Sequence, residues 1–293
     1  MIPGPTEAND RLSPRALSEA EVPGLRRPLL MLTSRALRLT TELGFDPSTM
    51  TKLTWLVLGG PPPGTNSWSE AHCVPTFNCA SFGDVTRTID HLAGYAMPSL
   101  VLYDQENWDL TPSRERAVPW DFVARAADLV RGTPIALGAA PALTLAQRLL
   151  PQAGSAESAY LGCGLIERMA PHVALFHIQS QRLERRPELF ANFVKEVAFR
   201  ARAANPELVV TAGVSTNPTG AEVFLEQLLH CIELTSQDVD GFWVNVPRPG
   251  RRCPHCRPEN PVLATALLNH LRVVHRDGTD PSDRLTVTIA TPG

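Results

Sequence analysis

Eight short runs of β-branched and large apolar residues constrain this chain more than any other feature. They are PLLML (28–32), LTWLVLG (53–59), SLVLYD (99–104), PIALG (134–138), VALFHI (173–178), LVVTAG (208–213), GFWVNV (241–246) and LTVTIA (285–290). Most are apolar at consecutive positions, not at alternate ones. A strand of that kind is buried on both faces, as in a parallel sheet covered by helices.

Helical patterns fill the gaps. Leu189, Phe193, Val197 and Ala201 recur every fourth residue, and Phe224, Leu228, Cys231 and Ile232 form a single stripe. Such spacing puts the apolar side chains on one helix face. Further helices are expected from about Pro119, with the proline tolerated in the first turn, over about 141–169 with a break near Pro151, and over about 261–275. Regular alternation of strand and helix defines an α/β fold, and eight strands favour a closed (β/α)8 barrel of the TIM type. PLLMLTSRALRL reads equally well as one helix, which would leave the barrel irregular or incomplete at its first strand. Residues 1–25 are polar and broken by proline and read as a loosely ordered lead-in; residues 26–293 read as a single barrel domain. An open dinucleotide-binding sheet is disfavoured. No GxGxxG follows a strand, and the prolines of GGPPPG remove the amides that a phosphate cradle needs.

Composition narrows the partners. A formal net charge of −3 gives no reason to expect nucleic acid or an anionic membrane surface. The basic residues are almost all arginine, with Lys52 and Lys195 the exceptions, and this reads as compositional bias, not as a binding signal. No apolar run approaches the roughly 20 residues that span a bilayer, and the N-terminus has no apolar signal core. The expectation is a cytoplasmic protein acting on a small molecule, of open oligomeric state, with no cofactor and no metal. Cys253 and Cys256 form CPHC. One such pair is half of a zinc site, which His72, Cys73 and Cys79 would complete only if the fold joined the two loops. A local staple or two free thiols is the favoured state. Cys163 and Cys231 fall in helical patterns and read as buried.

In a barrel, chemistry gathers where strands end. The run VLYDQENW (101–108) ends in Asp104 and Glu106, two residues apart and therefore on one side of the strand. Two close carboxylates cannot both ionise cheaply, so one becomes a general acid or base while the other tunes it. The plain alternative is that Asp104 caps the next turn and Glu106 is solvated. Tyr103, Asn107 and Trp108 flank the pair as substrate-binding candidates. His177, Gln179 and Gln181 share one parity after strand 173–178, although His177 fits a satisfied core histidine equally well. Ser215 and Asn217 follow strand 208–213, where capping of a helix from about Pro218 is the simpler role. Trp243 and Asn245 share one side of strand 241–246, and Trp243 also fits as core. The loop 59–83 is long and rich in Gly, Pro, Ser and Asn, and Trp68 within it is a candidate lid residue.

The stretch VLYDQE resembles the catalytic strand of the chitinase-type (family 18) glycoside hydrolases, whose motif ends in Asp-x-Glu. The resemblance implies a (β/α)8 barrel with Glu106 protonating the glycosidic oxygen, Asp104 orienting the acetamido group, and Trp243 as a possible floor. The family uses its fourth strand, whereas the runs above make 99–104 the third. VLYDQENWDLTP, VSTNPTG and GFWVNVPRPGRRCPHC also resemble a group of uncharacterised actinobacterial proteins, which implies one shared fold. Together these lead to a barrel enzyme using carboxylate acid–base chemistry on a glycoside or other polyhydroxylated molecule. A lyase, cyclase or isomerase, or a non-catalytic binding barrel, is the alternative.

Overall fold

A computed structural model describes residues 29–50, 53–59, 73–92, 99–133, 135–218, 222–250 and 256–276. Eight parallel strands close into a barrel in sequence order. They are β1 (Leu29–Thr33), β2 (Thr54–Leu58), β3 (Cys73–Cys79), β4 (Ser99–Tyr103), β5 (Ile135–Ala139), β6 (Leu175–Ile178), β7 (Val209–Ser215) and β8 (Gly241–Asn245). Closure is made by β1 pairing in parallel with both β2 and β8.

The continuous apolar runs behave as buried parallel strands should. In β1, Leu29 and Met31 face the barrel interior, while Leu30 and Leu32 join the larger core between barrel and helices. The strand expected at 28–32 forms as β1, and the alternative of one helix over PLLMLTSRALRL fails at Thr33. Its side chain accepts the Ala36 amide at 3.0 Å and caps a helix, α1 (Ser34–Glu42), that starts directly from the strand. Two elements are thus joined without a loop, which is why their patterns run together.

The strand set differs from the expectation in one member. Residues 73–79, read as part of a long loop, form β3. Pro75 disguised it, since a proline normally argues against an interior strand. Here Pro75 pairs only toward β2, opposite Val57, and pairing to β4 begins one residue later, at Thr76. The proline therefore sits where the strand is still locally an edge. The run 285–290 lies outside the described residues, as do 1–25, Trp68, His72 and Cys253. The barrel closes with β3 as its extra member, so the strand ending in Tyr103 is the fourth and not the third.

The expected helices are present with shifted ends. The stretch 141–169 divides into Leu143–Leu149, Ala156–Gly162 and Leu165–Met169. The helix expected from about Pro218 runs into residues 219–221, outside the described residues; the next described α-helix begins at Leu225. Phe224, expected in its apolar stripe, is 57% exposed, whereas Leu228, Cys231 and Ile232 are buried. Pro119–Val130, Pro187–Ala204 and Pro261–Arg276 follow the expected periodicity. No helix among the described residues is long and apolar enough to cross a membrane.

Two glycines are required by close approach. A Cβ on Gly241 would lie 2.1 Å from the Leu29 carbonyl oxygen, where β8 closes against β1. A Cβ on Gly213 would lie 2.2 Å from Gln181 Nε2, so the bare backbone of β7 makes room for that side chain. The lower barrel interior is apolar, built from Leu29, Met31, Leu56, Leu100, Leu102, Leu175 and Val209. The upper end is where polarity enters.

Candidate functional site

A cavity of about 860 Å³ opens at the C-terminal ends of the strands. Nine residues singled out from the sequence line it together: Asp104, Glu106, Trp108, Gln179, Gln181, Ser215, Asn217, Trp243 and Asn245. They come from the ends of β4, β6, β7 and β8. Convergence follows from parity, since alternate residues of each strand point inward and the last inward position of several strands is polar.

Asp104 is the fixed point. It is buried at 6% exposure. Gln179 Nε2 donates to its Oδ1 at 2.7 Å, and Asn78 Nδ2 donates to its Oδ2 at 2.9 Å. The Gln179 amide is itself oriented, because the same nitrogen donates to the Ala140 carbonyl at 2.9 Å. Three strands and the end of β5 therefore hold one carboxyl group with both oxygens acting as acceptors. Glu106, two residues on, is part-exposed on the same cavity wall. Thr111 holds its segment in place. The Thr111 Oγ1 accepts the Glu106 amide at 3.3 Å and the Trp108 indole N–H at 2.9 Å, and donates to the Ala80 carbonyl at 2.8 Å. The next helix, Ser113–Ala117, begins beyond this loop with Pro112 at its N-cap.

Three predicted residues lie elsewhere. Tyr103 is on the opposite parity, in the core between barrel and helices, and its hydroxyl donates to Glu115. Burial, and next the Glu115 contact, push that phenol well above its usual range. Asn107 is exposed and is not part of the cavity wall. His177 points into the barrel one layer below Gln179, fully buried, with Nδ1 3.0 Å from Thr211 Oγ1 and its ring 4.9 Å from that of Trp243. Burial lowers its pKa to about 3, so the ring is neutral. It is a core residue beneath the cavity floor. Trp243 combines both readings, at 7% exposure within the interior cluster while lining the cavity.

The joint metal site does not assemble among the described residues. Cys73 and Cys79 share the outward parity of β3 and pack toward the helices, and the Cys79 Sγ lies 3.4 Å from Thr88 Oγ1. Cys256 lines the cavity and is disulfide-bonded.

Several site residues were not read from the sequence. Asn78 was hidden with its strand. Glu184 lies beyond β6, fully buried; its Oε1 accepts the Ser215 amide, and its Oε2 has no partner among the described residues. Burial holds this carboxyl well above the ordinary range, with the Ser215 amide acting the other way. Its bond to the Ser215 amide supports the end of β7. Asn78 Oδ1, Asn217 Oδ1 and Trp243 Nε1 are buried without partners among the described residues. Such atoms are uncommon in folded proteins, and all three belong to residues of this one wall. Three arginines complete the lining: Arg35, Arg182 and Arg248.

Fold and site together define an eight-stranded parallel (β/α) barrel with a cavity of mixed polar and apolar lining at the C-terminal ends of its strands. No family model matches the chain, and no curated protein matches it. Among solved structures, the chain is similar to one described as a Schiff-base-forming fructose-1,6-bisphosphate aldolase. The identity is 12% and the TM-score 0.32, over 83% of this chain and 94% of that chain.

Proposed function

We propose that the barrel is an enzyme that moves a proton on a small polyhydroxylated molecule, with Glu106 as the proton-transfer group and Asp104 as the fixed carboxylate beside it. The observation that carries this is the contrast between the two acids. Asp104 is buried and immobilised by Asn78 and Gln179. Glu106 reaches the same cavity from a part-exposed position, where it can exchange a proton with ligand or solvent.

The layout favours a lyase, cyclase or isomerase. Among the described residues the carboxylates on the cavity wall are Asp104 and Glu106, both from the end of β4. The usual glycosidase arrangement sets two carboxyl groups on opposite sides of the scissile bond. Here both approach from one side, which suits proton addition or removal at one face of a ligand. Gln181 and Asn245 line the wall with amides that make no hydrogen bond among the described residues, and they present donors and acceptors to ligand hydroxyls. Trp108, locked by Thr111, and Trp243 offer apolar faces for a sugar ring.

A glycoside hydrolase working by substrate assistance is the second reading. The order Asp104-Gln105-Glu106 at the end of the fourth strand, with Trp243 on the eighth, favours it. Incubation in D2O with a panel of sugar acids, sugar phosphates and N-acetylhexosaminides, followed by mass detection, separates the two. Proton transfer to or from carbon places a deuteron in product or recovered substrate. Hydrolysis adds water across a glycosidic bond and leaves carbon-bound hydrogens untouched. A panel converted with neither signature contradicts both.

A further inference from the structure

We infer that the cavity's ligand carries an anionic oxygen group, a phosphate or a carboxylate, seated between Arg182 and Arg248, while its hydroxyl-bearing part reaches Asp104 and Glu106. This rests on reading the cavity as the active site and adds the class of molecule that it takes.

The closed ring fixes the relation of the charges. β8 lies four strands from β4 in either direction round the barrel, so the segment after β8 stands diametrically opposite the segment after β4. Arg248 follows β8; Asp104 and Glu106 follow β4. Arg182 follows β6 by four residues, and the end of β7, with Asn217, separates it from Arg248. All five residues line one cavity. Its mouth is therefore negative on the β4 side and positive on the side of β6 to β8.

The three cavity arginines are not equivalent. The Arg35 guanidinium is committed to Glu259, with Nε donating to Oε2 at 3.0 Å and a second nitrogen contacting Oε1. That fork holds the Glu259 carboxyl below the usual range, and Arg248 adds to the effect only at longer range. Glu259 thus neutralises Arg35. Arg182 forms no ion pair or hydrogen bond among the described residues, and Arg248 makes no direct hydrogen bond there. Two exposed guanidinium groups are left on the cavity lining. Their planar donor forks match the oxygens of a carboxylate or phosphate. An anion on the β4 side would instead meet two acids. The field orients the ligand, with its anionic end toward β8 and its reacting end toward Glu106.

The test measures binding of inorganic phosphate, D-gluconate and D-glucose to the full chain by calorimetry and thermal shift. At least one anion should bind and raise Tm, while glucose, which is neutral, should not. The double variant Arg182→Gln/Arg248→Gln should weaken that anion about tenfold or more, as expected for loss of charge-assisted hydrogen bonds. Both residues are exposed, so the variant should keep the wild-type Tm without ligand. Preference for phosphate or for gluconate identifies which group the site takes. The inference is overturned if neither anion binds, if glucose binds as tightly, or if the double variant binds the anion like the wild type. Glu106→Gln should leave anion binding intact. A Glu106→Gln protein with full turnover would remove the proton-transfer reading and leave the anion site standing; unchanged anion binding in the arginine variant would remove only the latter.

Discussion

Gln179 Nε2 lies 2.7 Å from Asp104 Oδ1, which ties the end of β6 to the end of β4 across the top of the barrel. The same nitrogen donates to the Ala140 carbonyl, so the amide cannot turn its oxygen toward the carboxyl group without losing a second bond. Gln179→Leu keeps much of the volume and removes both donations. It should lower stability by about 1–3 kcal/mol, the range for stranding a buried acceptor, and reduce kcat more than it raises KM. Urea unfolding and steady-state kinetics check the two parts, and wild-type values in both would show that the Asp104 position needs no support from β6.

Thr111→Val is close to isosteric. It leaves the Glu106 amide and the Trp108 indole N–H without their shared acceptor, and the Ala80 carbonyl without its donor. Loss of about 1–3 kcal/mol is expected for the buried groups left unpaired. Trp108 should become more mobile, which fluorescence anisotropy reads against a Trp108→Phe control.

Asp104 and Glu106 were legible in the sequence because an apolar run that ends in two acids of one parity can place both at a barrel mouth. Asn78 was not, since Pro75 and the polar loop before it hide the strand that carries it. Arg182 and Arg248 were not, because in an arginine-rich chain two exposed loop arginines carry no local signal. Their placement comes from ring closure, which sets β8 opposite β4. Tyr103 and Asn107 were drawn in by adjacency to the acids, but odd parity sends the first into the helix layer and leaves the second in solvent.

Glu184 should make stability fall as pH rises. Its folded pKa is raised by burial above the ordinary 4.5. The contribution of its neutral form is complete below the unfolded value. It declines as pH climbs toward the folded one, by up to about 1.4 kcal/mol per pH unit. Glu184→Gln, which can still accept the Ser215 amide, should remove this slope. Urea unfolding at pH 5 and pH 7.5 should show the variant gaining on wild type at the higher pH; equal differences at the two values would mean that Glu184 is ionised in the fold.

His177 works in the opposite direction. Its pKa is lowered from 6.5 to about 3 by burial. Below pH 6.5 the unfolded chain takes up a proton that the folded chain refuses, so stability declines as pH falls through that window toward 3. The imidazole resonances of His177 should stay in the neutral form at pH 5, and activity should show no ionisation belonging to this residue. An imidazolium at pH 5 would place His177 in contact with the cavity.

The most direct test of the central claim is turnover by Glu106→Gln. A metabolite extract incubated with wild type and with the variant, and profiled by mass spectrometry, should show at least one polyhydroxylated compound consumed by the wild type and left intact by the variant. The variant should match the wild type in circular dichroism, because the change is isosteric, Glu106 is part-exposed and its backbone N–H keeps its hydrogen bond to Thr111. Equal consumption by both proteins, or by neither, would contradict the assignment of Glu106 as the proton-transfer group.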